Sequence, residues 1–114
     1  MKSITRTLAL FTSIALLAGC AVVDVTKTAK GFYNPTNPND VQILKTVPQQ
    51  KYIELGTVAV NGFQVSETAK MHNAIRAKAA PLGANAVILT TDGMIPGAYG
   101  TATMWATGVA IRFQ

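Results

Sequence analysis

The 114 residues predict an α+β domain of ββαββ order, with one helix packed on a small, mainly antiparallel sheet. Three observations carry this. Two short runs with β-branched residues precede a stretch of 3.6-residue apolar spacing, and two further apolar runs follow it. The composition, 49% hydrophobic but 7% aromatic, suits a core of small and aliphatic side chains. A single cysteine allows no internal disulfide, so the domain must hold by packing and hydrogen bonds.

The first element is Val41-Gln42-Ile43-Leu44, a short strand closed by Pro48. Tyr52 to Val60 is a stronger one, and Asn61-Gly62 supplies turn chemistry at its end. Ser66 suits an N-cap and Glu67 the positive end of the helix dipole. Met71, Ile75, Ala79 and Leu82 mark the buried stripe, Pro81 removes a donor in the last turn, and Gly83 stands where a left-handed cap belongs. Ala84 to Thr91 reads as a central strand because its apolar residues fall on both faces. Asp92 to Thr101, with Pro96 and three glycines, reads as a loop. Ala102 to Phe113 is the longest strand. One of its faces carries Trp105, Thr107, Val109, Ile111 and Phe113; the other carries Ala102, Met104, Ala106, Gly108 and Ala110, small enough to admit a helix.

The N-terminus is built differently. Lys2 and Arg6 precede an apolar run from Leu8 to Leu17, too short for a bilayer of roughly 30 Å, which needs about 20 helical residues. Leu17-Ala18-Gly19-Cys20 comes immediately after. This resembles the lipobox of bacterial lipoproteins, in which Leu17, Ala18 and Gly19 serve signal-peptidase recognition and Cys20 takes the lipid through its thiolate. The resemblance divides the chain into a signal peptide over 1–19, a lipidated N-terminus and tether over 20–39, and the domain over 40–114. It also implies acylation of the new N-terminus, a bilayer as partner, and an envelope location. Ala21 stands where inner-membrane lipoproteins of enteric bacteria tend to carry aspartate, which by analogy favours the outer membrane, facing the periplasm. Ten basic residues less Lys2 and Arg6 leave eight against five acidic, a mature charge of +3. An exported chain of this modest charge gives little reason to expect nucleic acid as a partner.

Within 21–39, the run Phe32 to Asp40 has Pro35 and Pro38 and no usable periodicity, so it reads as loop. If flexible, the 19 residues of 21–39 together would span ~25 Å. Val22, Val23 and Val25 alternate weakly and allow a short strand instead.

Ala79 to Ile88, with Leu82-Gly83-Ala84-Asn85-Ala86-Val87 at its centre, and Gly100-Thr101-Ala102 through Ile111 resemble the YbjQ-like family. Tyr52 through Val58, with Gly56, is similar to that family's earlier strand. The same helix-to-strand junction occurs in the stress-sensing lipoprotein of the Rcs pathway. The resemblance spans roughly Tyr52–Phe113 and implies fold more than activity. It brings with it ring-forming oligomers and a suggested metal-binding role. The cysteine pairs on which the Rcs sensor relies are missing here.

Chemistry is sparse. His72 is the only histidine and lies at the flank of the helical stripe, with no cysteine or histidine partner for a metal outside Cys20. Asp24, Asp40, Glu54, Glu67 and Asp92 are scattered, and no nucleophile motif accompanies the serines. No catalytic, metal or cofactor residues are therefore expected. The stronger signal is apolar excess. One helix covers one sheet face, which leaves Trp105 and Phe113, with Tyr99 in the nearby loop, to form an interaction surface. The tether, an identical subunit, or a ligand or envelope-protein contact could cover it. These readings favour a non-enzymatic binding or assembly module at the membrane, ahead of an envelope stress sensor and of a small hydrolase or metal-binding protein.

Overall fold

The computed structural model describes residues 21–97, 99 and 101–114, so Leu17, Ala18, Gly19 and Cys20 lie outside the described residues. Its elements are β1 (Val22–Lys27), β2 (Gln42–Leu44), β3 (Tyr52–Gln64), α1 (Thr68–Ala79), β4 (Ala86–Pro96) and β5 (Ala102–Phe113). One helix packs on a five-stranded sheet of order β1-β3-β5-β4-β2. The α+β class is as expected, but the sheet is mixed and five-stranded where a small, mainly antiparallel one was anticipated. Neighbours along β1-β3-β5-β4 pair antiparallel, whereas β2 runs parallel to β4 through Ile43↔Val87.

The fifth strand comes from the segment expected to be a tether. Of the two readings open there, Val22–Lys27 takes the strand, pairing Val23 with Val60 and Lys27 with Gly56. The residues beyond it also belong to the domain. Ala29 and Tyr33 pack on the main core, and Thr36 donates its backbone N–H to the Ala80 carbonyl at 3.0 Å.

The helix stripe behaves as its spacing predicts. Met71, Ile75 and Ala79 are buried with Leu55, Val58, Val60, Phe63 and Val87. β5 offers this layer Ala106, Gly108 and Ala110, and a side chain at Gly108 would meet Val87 Cγ1 at 2.8 Å. Close helix–sheet approach is thus written into the small residues of one strand.

Three local expectations give way. Asn61-Gly62 does not turn the chain. Gly62, at φ 86°, instead sits in a β-bulge between Asn61 and Phe63, and β3 runs on to Gln64. The positive φ that a hairpin turn requires serves a bulge equally well, and here the bulge leaves Phe63 buried. Ser66 is not the helix cap, because a 3-10 turn over Val65–Glu67 comes first. There Glu67 Oε1 accepts the Gln64 N–H at 2.9 Å, and Thr68 Oγ1 donates to the Val65 carbonyl at 3.1 Å. Finally, Asp92 to Pro96 is strand, not loop. A bulge between Leu89 and Thr91 keeps β4 in register with β5 as far as Pro96↔Ala102.

Candidate functional site

The junction from Ala80 to Asn85 forms a structural latch. After a 3-10 turn over Ala80–Leu82, Gly83 takes φ 90° and donates its N–H to the Ala80 carbonyl at 2.9 Å. A Cβ there would lie 2.6 Å from Tyr33 Cβ and 3.0 Å from the Asn34 carbonyl oxygen. Asn85 then ties the helix exit to β5 twice: its N–H donates to the Ile111 carbonyl at 2.8 Å, and its Oδ1 accepts the Phe113 N–H at 2.9 Å. Arg112 closes the group, donating to the Gly83 carbonyl at 3.0 Å with its guanidinium 5.4 Å from the centre of the Tyr33 ring. The hydrogen bonds named here all end on backbone groups of the junction.

The titratable groups are similarly occupied. His72 is half-buried on α1, where burial first, then Arg76 and Lys45, lower its pKa below the ordinary value. The Glu67 carboxylate is held below the usual range by the Gln64 N–H and by Lys70, whose Nζ is 3.3 Å away. Among the described residues no three His, Cys, Asp or Glu side chains gather in a group that could hold a metal ion. No helix there is long and apolar enough to cross a membrane.

The three residues expected to share an interaction surface are not brought together. Phe113 pairs with Tyr52, and both pack half-buried with Leu44 and Val109 over Ala86, Ile88 and Ile111. The open sheet face therefore covers much of its own apolar excess. Cover by the tether, one of the alternatives open above, is not what forms, since Ala29 and Tyr33 join the helix-side core. Trp105 lies eight residues from Phe113 along β5, roughly 27 Å at strand rise, with its indole against Gly93. Tyr99 is fully exposed at the β4–β5 turn, near Met94 and Ile95, which are 64% and 54% exposed.

What the structure does assemble is one end of the sheet. Val22, Asn61, Trp105 and Gly93 form a row across β1, β3, β5 and β4. Gln64, Thr103 and Ile95 form a row further out. Since β1 runs inward from Val22, the chain enters the domain at this end. Ala21, one peptide bond after Cys20, packs against Gly62, where a Cβ would stand 3.2 Å from Ala21 Cα. Beside it a groove of about 570 Å³ is lined by Ala21, Val23, Phe63, Lys70 and Ala74. Sequence reasoning missed this convergence because it depends on β1 joining the sheet. The signal was the Val22/Val23/Val25 run, in which Val23 pairs with the buried Val60.

No protein-family model and no curated protein sequence matches the chain. Among solved structures, the fold is similar to that of the Francisella virulence factor FvfA, with a TM-score of 0.54 at 16% identity, over 80% of this chain and 97% of that one. That likeness concerns fold alone.

Proposed function

We propose that the chain is the precursor of a lipid-anchored envelope protein, a non-enzymatic binding or assembly module held by acylated Cys20 at the outer membrane and facing the periplasm. The observation that carries the proposal is the junction of two signals: Leu17-Ala18-Gly19-Cys20 ends an apolar run of export-signal type, and a folded strand starts at Val22. A domain that begins where the lipid is attached suits display at a surface. Support for a binding role comes from what the polar side chains do. Asn85, Arg112, Thr36, Glu67 and Thr68 all make bonds that fix backbone segments. The partners in this reading are the bilayer and either an envelope protein or a second copy of the chain. A stress-sensing role would need a switch other than cysteine pairing, because the single cysteine is here the acylation residue.

Metabolic labelling with palmitate tests the anchor. The wild-type chain should take up label and lose its N-terminal segment. Cys20→Ser should remain an unlabelled precursor, since serine offers no thiolate for diacylglycerol transfer. Equal labelling of the two would contradict the reading.

A further inference from the structure

The end of the sheet where the chain enters also carries exposed apolar side chains. The β4–β5 hairpin reaches past the row of Val22, since Ile95↔Thr103 lies two residues, roughly 7 Å, beyond Gly93↔Trp105. Its exposed side chains include Met94, Ile95 and Tyr99, and no charged residue occurs between Asp92 and Arg112. Tyr99 adopts φ 58°, a left-handed conformation uncommon for a residue with a side chain, and its ring stands wholly in solvent. Cations gather at the other end of the same strands. Lys27 ends β1, Lys51 precedes β3 and Arg112 lies near the end of β5, while Lys30 comes shortly after β1. The uncharged hairpin tip and the neighbour of Cys20 thus share one end of the sheet, with Glu67 and Lys70 beside Ala21, while Lys27, Lys30 and Lys51 lie toward the other end together with the exposed Phe32.

We propose that the tip of the β4–β5 hairpin is a second membrane contact, which places Met94, Ile95 and Tyr99 in the interface of the bilayer that holds the Cys20 acyl chains. The proposal rests on the lipoprotein reading above. A bilayer suits this tip for three reasons. Acyl chains on Cys20 bring membrane to this end of the sheet, because only Ala21 separates Cys20 from β1. An uncharged tip enters an interface without desolvating an ion. Tyrosine is favoured at the headgroup level, where its ring is buried and its hydroxyl stays wet. A peripheral protein held at two points keeps a fixed orientation, so the opposite end and the Tyr52–Phe113 face would point away from the membrane toward periplasmic partners.

The test uses the acylated full-length product in vesicles of phosphatidylethanolamine and phosphatidylglycerol. Because Cys20 is consumed by its thioether, Tyr99→Cys, Met94→Cys and Lys30→Cys each provide one free thiol for an environment-sensitive fluorophore. The expected result is a blue shift at positions 94 and 99, with most of that emission lost when the lipids carry brominated chains. The label at 30 should keep the emission it has in water. An acylated chain whose labels at 94 and 99 resist bromolipid as the label at 30 does would overturn the proposal alone. A blue shift without bromolipid quenching would mean that protein covers the tip, and would overturn it equally. A mass lacking acyl chains would overturn the lipoprotein reading, and this proposal with it.

Discussion

Gly83 shows how much one residue can reveal and how much it leaves out. Its position after an apolar helical stripe, with Pro81 two residues before, announces a left-handed cap, and φ 90° is what forms. The same logic misplaces Gly62, because a positive φ ends a strand in one context and bulges it in another, and only the partner strand decides. Gly83 has a second constraint that sequence spacing cannot show: Tyr33, fifty residues earlier, closes on the place where a side chain would stand. Gly83→Val should therefore cost ~1–3 kcal/mol for the strained backbone alone, with the Tyr33 clash added. In a domain of this size each kcal/mol lowers the melting temperature by about 4–8 °C. Thermal unfolding against Lys78→Ala, an exposed helix position, checks this; equal melting temperatures would mean the cap is dispensable. Arg76→Ala would be a poor control, since Arg76 Nε donates to the Val41 carbonyl at 2.9 Å.

At the scale of elements, strong periodicity was legible and pairing was not. The buried stripe of α1 and the small-residue face of β5 follow directly from residue spacing. The extent of β4 did not, because Gly93 and Pro96 are loop residues by composition, yet they sit opposite Trp105 and Ala102 in a long hairpin. Gly93 is there because the indole of Trp105 lies over it: a Cβ would come within 2.8 Å of the ring. Gly93→Val should accordingly disturb Trp105 and redden its fluorescence, while Lys78→Ala at its exposed helix position should leave that emission unchanged. On the helix, His72 carries a pH dependence whose sign is set by its lowered pKa. The unfolded chain takes up the proton first, so stability is complete above the ordinary value of about 6.5 and is lost as pH falls through the folded value. Melting temperatures at about pH 7.5 and 5.5 should differ less in His72→Gln than in wild type. An unchanged difference would assign the acid sensitivity to other groups.

For the molecule as a whole, the count of layers was legible and the cover was not. One helix on a sheet implies an uncovered face, and residue alternation along β5 assigns Trp105 and Phe113 to it. Three-dimensional packing then divides them, since Phe113 closes over Ile111 with Tyr52 while Trp105 serves the hairpin. The proposed export signal and the acylation of Cys20 rest on a short local motif, which needs no fold to be read. The segment after Cys20 was harder. A polar, proline-containing stretch resembles a tether by composition, and long-range contacts such as Thr36 to Ala80 and the packing of Tyr33 hold it to the domain. The central claim is that the folded domain begins immediately after Cys20, the proposed site of acylation. Amide hydrogen exchange on the acylated chain in detergent micelles tests it most directly. The β1 amides that bond to β3, and the Thr36 N–H, should be protected to the same order as the amides of β3 itself. Exchange throughout residues 21–40 at the rate of an unstructured chain would contradict the account.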